Sequence, residues 1–178
     1  MHNAFLIGKK IYLKGIEEDD LENMHKWISD SIFTYLLFQG DRPPNLQHMK
    51  NEFNANLKDH REIVFSILTK TNQHIGWAGI YEIDWISRKG EIRFFIGEKK
   101  IWGKGYASEA VSLLIDYSFN KLNLHRIHGG TNEKNIGSIK VFKNNKFIQE
   151  GILKEDHFRN GRYYDVIRFG RINKNTDI

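Results

Sequence analysis

Lys100-Ile101-Trp102-Gly103-Lys104-Gly105-Tyr106-Ala107-Ser108-Glu109-Ala110 joins a β-type run, Glu91 to Ile96, to the clearest helical pattern in the chain. Ala107, Ala110, Val111, Leu114, Ser118 and Leu122 recur on one face at helical spacing, so a long helix begins directly after the glycine pair. Two glycines at that place let the main chain approach a ligand closely. The unpaired N–H groups of the first helical turn then face it with the favourable end of the helix dipole. A pyrophosphate is the guest such a site fits, although a glycine pair entering a helix also serves as a plain tight turn.

Familiar phosphate loops can be tested against this stretch. A P-loop needs four residues between its glycines, and only Lys104 separates Gly103 from Gly105. A dinucleotide fingerprint sets its glycines at the strand end, whereas Gly97 to Trp102 intervene here and Ser108 stands where a Gly or Ala belongs. The second reading stays open as the poorer fit.

Outward from the loop, the order of elements is legible. On the N-terminal side, Lys9 to Ile16 reads as a strand and Asp19 to Trp27 as a helix with acids at its start. Pro43-Pro44 opens a loop, Leu46 to Leu57 is helical by spacing, and Ile63 to Leu68 and Ile75 to Ile83 form a hairpin about Lys70 to Gln73. Glu91 to Ile96 extends the same antiparallel sheet. Beyond the long helix come a strand His125 to Thr131, a short helix Asn135 to Asn144, and strands at Phe147 to Leu153 and Tyr163 to Arg171. This is an α/β (α+β) order, a mixed and mostly antiparallel sheet of six to seven strands flanked by about four helices.

Composition bounds the rest. A chain of 178 residues, 40% hydrophobic, can bury a core as one domain, 1–178. It has no Cys, which excludes disulfides, thiolate metal sites and covalent thiol chemistry. The apolar run Ala4 to Ile7 is far shorter than a signal-peptide core or a membrane span, so a cytoplasmic protein without a membrane partner is expected. The formal charge of +5 favours anionic partners, or reflects a Lys-rich composition. No HExxH is present, and His125 and His128 face opposite sides of a strand, so no metal site is expected.

The loop resembles the coenzyme A pyrophosphate loop of the GNAT superfamily of N-acetyltransferases, whose Arg/Gln-x-x-Gly-x-Gly/Ala motif reads Lys100-x-x-Gly103-x-Gly105 here. Glu91-Ile92-Arg93-Phe94-Phe95-Ile96-Gly97, Gly105 to Ala110, Leu124-His125-Arg126-Ile127 and Asn135-Ile136-Gly137-Ser138 are similar to the RimJ/RimL-type branch, as are Ile11 to Lys14, Glu18 to Leu21 and Trp27 to Asp30. The resemblance covers nearly the whole chain. It implies a sheet splayed between the strands at 91–97 and 124–131. Acetyl-CoA would be the co-substrate, with its pantetheine arm pairing with the backbone near Phe95 and Ile96. Lys100, Trp102, Gly103, Lys104, Gly105, Tyr106, Ala107 and Ser108 would hold the coenzyme from one side, Asn135 and Ser138 from the other. A helical acceptor-side segment about 18–59 and a coenzyme-binding core about 88–147 follow from the same likeness. Asn135 also suits an ordinary helix cap.

Acetyl transfer needs a neutral amine, and near pH 7 only about one alkylamine in a thousand is neutral, so a base acting through water gives an advantage. Glu91 matches the glutamate found on this strand in the resembling branch and is the expected base; an ion pair with Arg93 is its alternative role. A backbone N–H near Phe95 or Ile96 would hold the oxyanion. Many relatives carry a Tyr acid seven residues after the Asn, where this chain has Phe142; Tyr106, Tyr163, Tyr164 or a water are the substitutes. Lys146 stands where the family usually has Gly, with Asn145 expected to take the left-handed turn. Trp85, His157, Tyr163 and the loop around Gly40 to Pro44 are expected at the acceptor site.

The acceptor is read as a nucleotide-linked amino sugar, favoured by the +5 charge. A protein N-terminus of ribosomal type and a polyamine or aminoglycoside are the alternatives. Outside the class stand a coenzyme A binder without activity and a nucleic-acid module, the latter at odds with basic residues spread among acids. The sequence allows an oligomer without fixing its order.

Overall fold

The computed structural model describes residues 3–35, 37–38, 42–56 and 60–174. Leu6–Ile7 (β1) and Ile11–Gly15 (β2) lead into helix Asp20–Ile28 (α1), the single turn Ser31–Thr34 (α2) and helix Leu46–Asn56 (α3). Ile63–Thr69 (β3), His74–Asp84 (β4) and Lys89–Ile96 (β5) follow as a meander, then Tyr106–Asp116 (α4), Arg126–Asn132 (β6), Ile136–Asn144 (α5) and the closing hairpin Ile148–Arg159 (β7) and Arg162–Ile172 (β8).

The strands form one eight-stranded sheet in the order β1-β2-β3-β4-β5-β6-β8-β7. Every neighbouring pair is antiparallel except β5 and β6, which α4 joins as a parallel crossover. The expected six to seven strands become eight because Leu6–Ile7 pairs with Tyr12 and Leu13, a two-residue strand too short to leave a periodicity. The four expected helices are present as α1, α3, α4 and α5.

Alternation along the strands builds two unlike faces. On one, Ile11, Leu13, Phe65, Ile67, Ala78, Ile80 and Ile92 pack with Ala110, Val111, Leu114 and Ile115 of α4 and Phe142 of α5 in the main core. On the other, α1 is pinned by a buried polar cluster. Asp20 accepts from Lys14 Nζ at 2.9 Å, Ser66 Oγ at 2.8 Å and the Glu17 N–H at 3.0 Å. Burial pushes the Asp20 carboxyl up, but those donors outweigh it and hold the group below the usual carboxylate range. α1 and α3 thus cover the face opposite α4 and α5, leaving space between helices and sheet.

The helix after the glycine pair ends as a π-type turn over Tyr117–Lys121. Past α5 the left-handed residue is Lys146, with φ 59°, and not Asn145. The Asn145 side chain is committed elsewhere: its amide donates to Ser108 O, Ser108 Oγ and Val141 O, tying α5 to the start of α4.

Candidate active site

Between β5 and α4 the chain makes a 3₁₀ turn over Lys99–Ile101 and then places Gly103 at φ 76° and Gly105 at φ 88°, a left-handed pair that residues with a Cβ adopt at a cost. Gly105 is the N-cap of α4 and no side chain caps the helix. The N–H groups of Tyr106, Ala107 and Ser108 have no acceptor among the described residues. They are the donors an anion at a helix start requires. Lys10, far off in sequence, adds its ammonium: Nζ donates to Lys104 O at 2.9 Å, while its main-chain N–H donates to Glu109 Oε1 at 2.8 Å. Lys100 and Lys104 are exposed beside the same loop.

The parallel pairing of β5 with β6 stops at Glu91↔His128. Both strands run on, β5 to Ile96 and β6 to Asn132, so a gap opens between them. Gly97 N–H donates to Ile75 O at 2.9 Å, and by the alternation of an antiparallel ladder the main-chain groups of Phe95 also face β4, where Phe95 pairs with Trp77. Those of Phe94 and Ile96 therefore face the gap. Of the two positions expected at the gap, Ile96 turns its main-chain groups to it and Phe95 turns them to β4; Phe94 is the other residue whose groups face the gap. The Ile96 carbonyl accepts from Trp102 Nε1 at 2.9 Å, which sets the indole across the end of the gap.

A cavity of about 620 Å³ passes through this gap. On the α4/α5 side it is lined by Ile92, Phe94, Phe142, Asn135 and Ser138; on the other by Glu91, Arg93, Phe95, Arg168 and His157. Asn135 does cap α5, accepting the Ser138 N–H at 3.1 Å, and the same two residues line the cavity. Phe142 is buried and stacked on Phe169 with ring centres 4.9 Å apart, so an apolar ring stands where many relatives carry a phenol.

Glu91 is 9% exposed and held by two guanidinium groups: Arg93 Nε donates to Oε2 at 2.7 Å and Arg168 Nη1 to Oε1 at 3.4 Å. The expected pair with Arg93 is thus present together with a second partner from β8. Arg93 also binds Glu82 and lies over the Tyr81 ring at 4.8 Å, while Arg168 Nη2 is 3.3 Å from His128 Nδ1. Burial pushes the His128 imidazole down more than Glu91 lifts it. Burial likewise raises the Tyr81 phenol far above its ordinary value, so it stays protonated, and its hydroxyl makes no hydrogen bond among the described residues. His157 is buried with Asn132, Asn132 Nδ2 lying 2.9 Å from His157 Nδ1.

A second cavity of about 660 Å³ lies between the sheet and helices α1 and α3. Its walls include Leu21, Met24, Met49, Phe53 and Trp85, with the carboxylates Glu52 and Glu62; Trp77 and Tyr81 line both cavities. Trp85 therefore stands at this second cavity, its Nε1 donating to His60 O at 3.1 Å. Tyr163 packs on Phe158 at the surface and lines neither cavity; nor does Tyr106, at the first position of α4. Gly40 and Asp41 of the expected acceptor loop, and Leu57 to Asp59 beyond α3, lie outside the described residues. Among the described residues no group of three His, Asp or Glu could hold a metal ion, and no helix is long and apolar enough to cross a membrane.

Lys10, Tyr81, Asn132 and Arg168 reach the site without having been singled out in the sequence. Each is an ordinary strand or turn residue whose position depends on long-range pairing. The register Gly130↔Arg168 and Asn132↔Val166 brings in Arg168 and Asn132, the pairing Tyr81↔Glu91 brings in Tyr81, and bonds to Glu109 and Lys104 bring in Lys10.

Comparison with known proteins agrees with this geometry. A family model described as an acetyltransferase (GNAT) domain matches residues 10–148. N-acetyltransferase p20 of Bacillus licheniformis is 40% identical over 111 residues, 62% of each chain. A spermidine N(1)-acetyltransferase of Vibrio cholerae is 28% identical over 91% of this chain and 92% of its own. The crystal structure of spermidine N-acetyltransferase from V. cholerae in complex with CoA and spermine superposes with a TM-score of 0.86 at 28% identity, covering 93% of this chain and 96% of that one. These relatives do not single out the RimJ/RimL branch. A glycine loop whose helical amides have no acceptor among the described residues, a sheet parted between β5 and β6 and a family match over most of the chain lead to one conclusion: the chain belongs to the GNAT family and is an acetyl-CoA-dependent N-acetyltransferase.

Proposed function

We propose that the acceptor is a polyamine of the spermidine type, in place of the nucleotide-linked amino sugar that the net charge favoured. The observation that carries this reading is the second cavity. Among the described residues its lining contains Glu52 and Glu62, the aromatic rings of Phe53, Phe65, Trp77, Tyr81 and Trp85, and neither Lys nor Arg. An alkyl chain ending in an ammonium is the ligand such walls accept, through apolar contact, cation–π attraction and carboxylate pairing. The charge of +5 is a sum over the whole surface and does not set the sign inside one cavity. The spermidine acetyltransferases among the relatives support the same choice.

In this reading residues about 88–147 hold the coenzyme and residues about 18–59 shape the acceptor side. The amides of Tyr106, Ala107 and Ser108, with Lys10, Lys100 and Lys104, take the pyrophosphate. The pantetheine arm lies along Phe94 and Ile96, with Asn135 and Ser138 facing it, and the acetyl group points through the gap. The acceptor's distal end occupies the Glu52/Glu62 cavity, and its reacting amine reaches Glu91 past Trp77 and Tyr81. Glu91, held between Arg93 and Arg168, draws the ammonium in and takes its proton through water. The amine then attacks the thioester directly, since no Cys is available to carry an acyl group.

A thiol-release assay with acetyl-CoA tests the acceptor. Spermidine or spermine should give a kcat/KM at least roughly tenfold above nucleotide-linked amino sugars, aminoglycosides and peptides with free N-termini, a margin of about 1.4 kcal/mol. A faster sugar or peptide would overturn the reading.

A further inference from the structure

Gly8 to Ile11 is the turn of the edge hairpin β1–β2, closed by the Gly8 N–H donating to Ile11 O at 3.0 Å. Ile11 is fully buried in the core that α4 covers, so the turn is carried to the start of that helix. There Glu109, in the first turn of α4, accepts the Lys10 main-chain N–H on Oε1 at 2.8 Å. A Cβ built on Gly8 would lie 2.2 Å from the same oxygen, so the carboxylate keeps its place only against a glycine. Neither contact joins Glu109 to a cation. The Lys10 side chain runs onto the coenzyme loop instead: Nζ donates to Lys104 O at 2.9 Å and lies 3.5 Å from the point that a Cβ on Gly105 would occupy. An ammonium has three donors. Among the described residues one goes to Lys104 O, and the other two have no acceptor.

The helix dipole favours an acid in this turn, which accounts for Glu109 without any guest. Toward a coenzyme that carries its charge as phosphates, however, the same carboxylate is a repulsion, and on that ground its removal should tighten binding. Its contacts point to the opposite sign. We propose that Glu109 is a positioning residue of the coenzyme site. Through the Lys10 N–H and the close approach of Gly8 it holds the edge-hairpin turn against the loop, and this sets the Lys10 ammonium beside Gly105 to pair with the diphosphate. An acidic side chain thereby favours an anionic ligand, and the first hairpin of the chain becomes part of a site whose motif lies some ninety residues further on. The proposal rests on the reading that the diphosphate lies on the α4 amides, and holds whichever amine is the acceptor.

Calorimetry with CoA, and with dephospho-CoA, which keeps the diphosphate and lacks the ribose phosphate, tests it without turnover. Glu109→Ala should weaken CoA about fivefold to tenfold, where repulsion alone predicts a tighter complex. Glu109→Gln, uncharged but still offering an oxygen to the Lys10 N–H, should stay within about twofold of the parent. Gly8→Ala, which alters no charge and no donor, should weaken CoA about as much as Glu109→Ala. Lys10→Met should weaken CoA and dephospho-CoA alike, by about tenfold, and should flatten the salt dependence of both. Unchanged or tighter CoA binding in Glu109→Ala overturns the proposal, as does a loss in Glu109→Gln as large as in Glu109→Ala. A Lys10→Met loss confined to CoA also overturns it, since the ammonium would then serve the ribose phosphate. Should Glu109→Ala not fold, Gly8→Ala decides by the same measure, parental affinity refuting the clamp. Gly105→Ala separates this proposal from the reading beneath it. If Gly105→Ala weakens CoA while the Glu109, Gly8 and Lys10 variants bind like the parent, the loop reading stands and the clamp falls; if none of them weakens CoA, both fall.

Discussion

Gly105, at φ 88°, opens α4 with no side-chain cap, and the next three amides have no acceptor among the described residues. Gly105→Ala should cost roughly 1–2 kcal/mol of stability for the left-handed backbone, about 2–8 °C in Tm for a chain of this size. It should also weaken acetyl-CoA binding through the displaced amides, read by calorimetry. Glu91→Gln should lower kcat on the order of 10²-fold while acetyl-CoA still raises Tm; unchanged turnover across pH would remove Glu91 from the mechanism. The glycine loop was legible at this scale because its signal is local. Of the partners that give Glu91 its setting, Arg93 was legible two residues along the strand and Arg168 was not, since it is 77 residues away along the chain and only register delivers it. Phe95 shows the same limit. The strand is evident from composition, but which of its amides face the gap depends on the ladder with β4.

Helix α1 illustrates how an element is secured by one buried carboxylate. Asp20→Asn leaves Lys14 without its buried counter-charge, and removing one partner of such a pair costs about 3 kcal/mol, seen as a Tm lower by roughly 6–12 °C. Its pH dependence has a definite sign. The folded pKa lies below the unfolded value, so the contribution is complete above the unfolded carboxylate pKa of about 3.9 and is lost as pH falls through the folded value. Urea unfolding of parent and variant should therefore differ at pH 7 and converge toward pH 2; a constant difference would contradict the assignment. On the acceptor side, Glu62→Gln should raise KM for spermidine about threefold to tenfold, the effect of roughly 1 kcal/mol from a half-exposed pair, with kcat kept. Elements with strong periodicity, α4 above all, were readable in the sequence. Strand β7 was cut short at Leu153, because Lys154-Glu155-Asp156 reads as a polar break. The strand continues past it through an irregularity between Leu153 and His157, with Glu155 at φ 52° and its N–H donating to Asp165 Oδ1 at 3.0 Å.

The whole molecule is a sheet parted at one seam, with α4 and α5 on one face and α1 and α3 on the other, the sides that the proposed reading gives to the coenzyme and to the acceptor. The topology followed from the sequence because one strand-helix-strand crossover among hairpins leaves few arrangements. The acceptor did not, because the two cavities are assembled from side chains that share no motif, and a net charge summed over the chain does not describe either cavity. The central claim is that the amides of Tyr106, Ala107 and Ser108 grip a pyrophosphate while the gap between β5 and β6 receives the thioester arm. A crystal structure with acetyl-CoA tests this most directly. The expected result is pyrophosphate oxygens within about 3.2 Å of those amides and the acetyl carbonyl beside Phe94 and Ile96, with Trp102 released from the Ile96 carbonyl if the arm pairs there. Coenzyme bound elsewhere, with the seam empty, would contradict it.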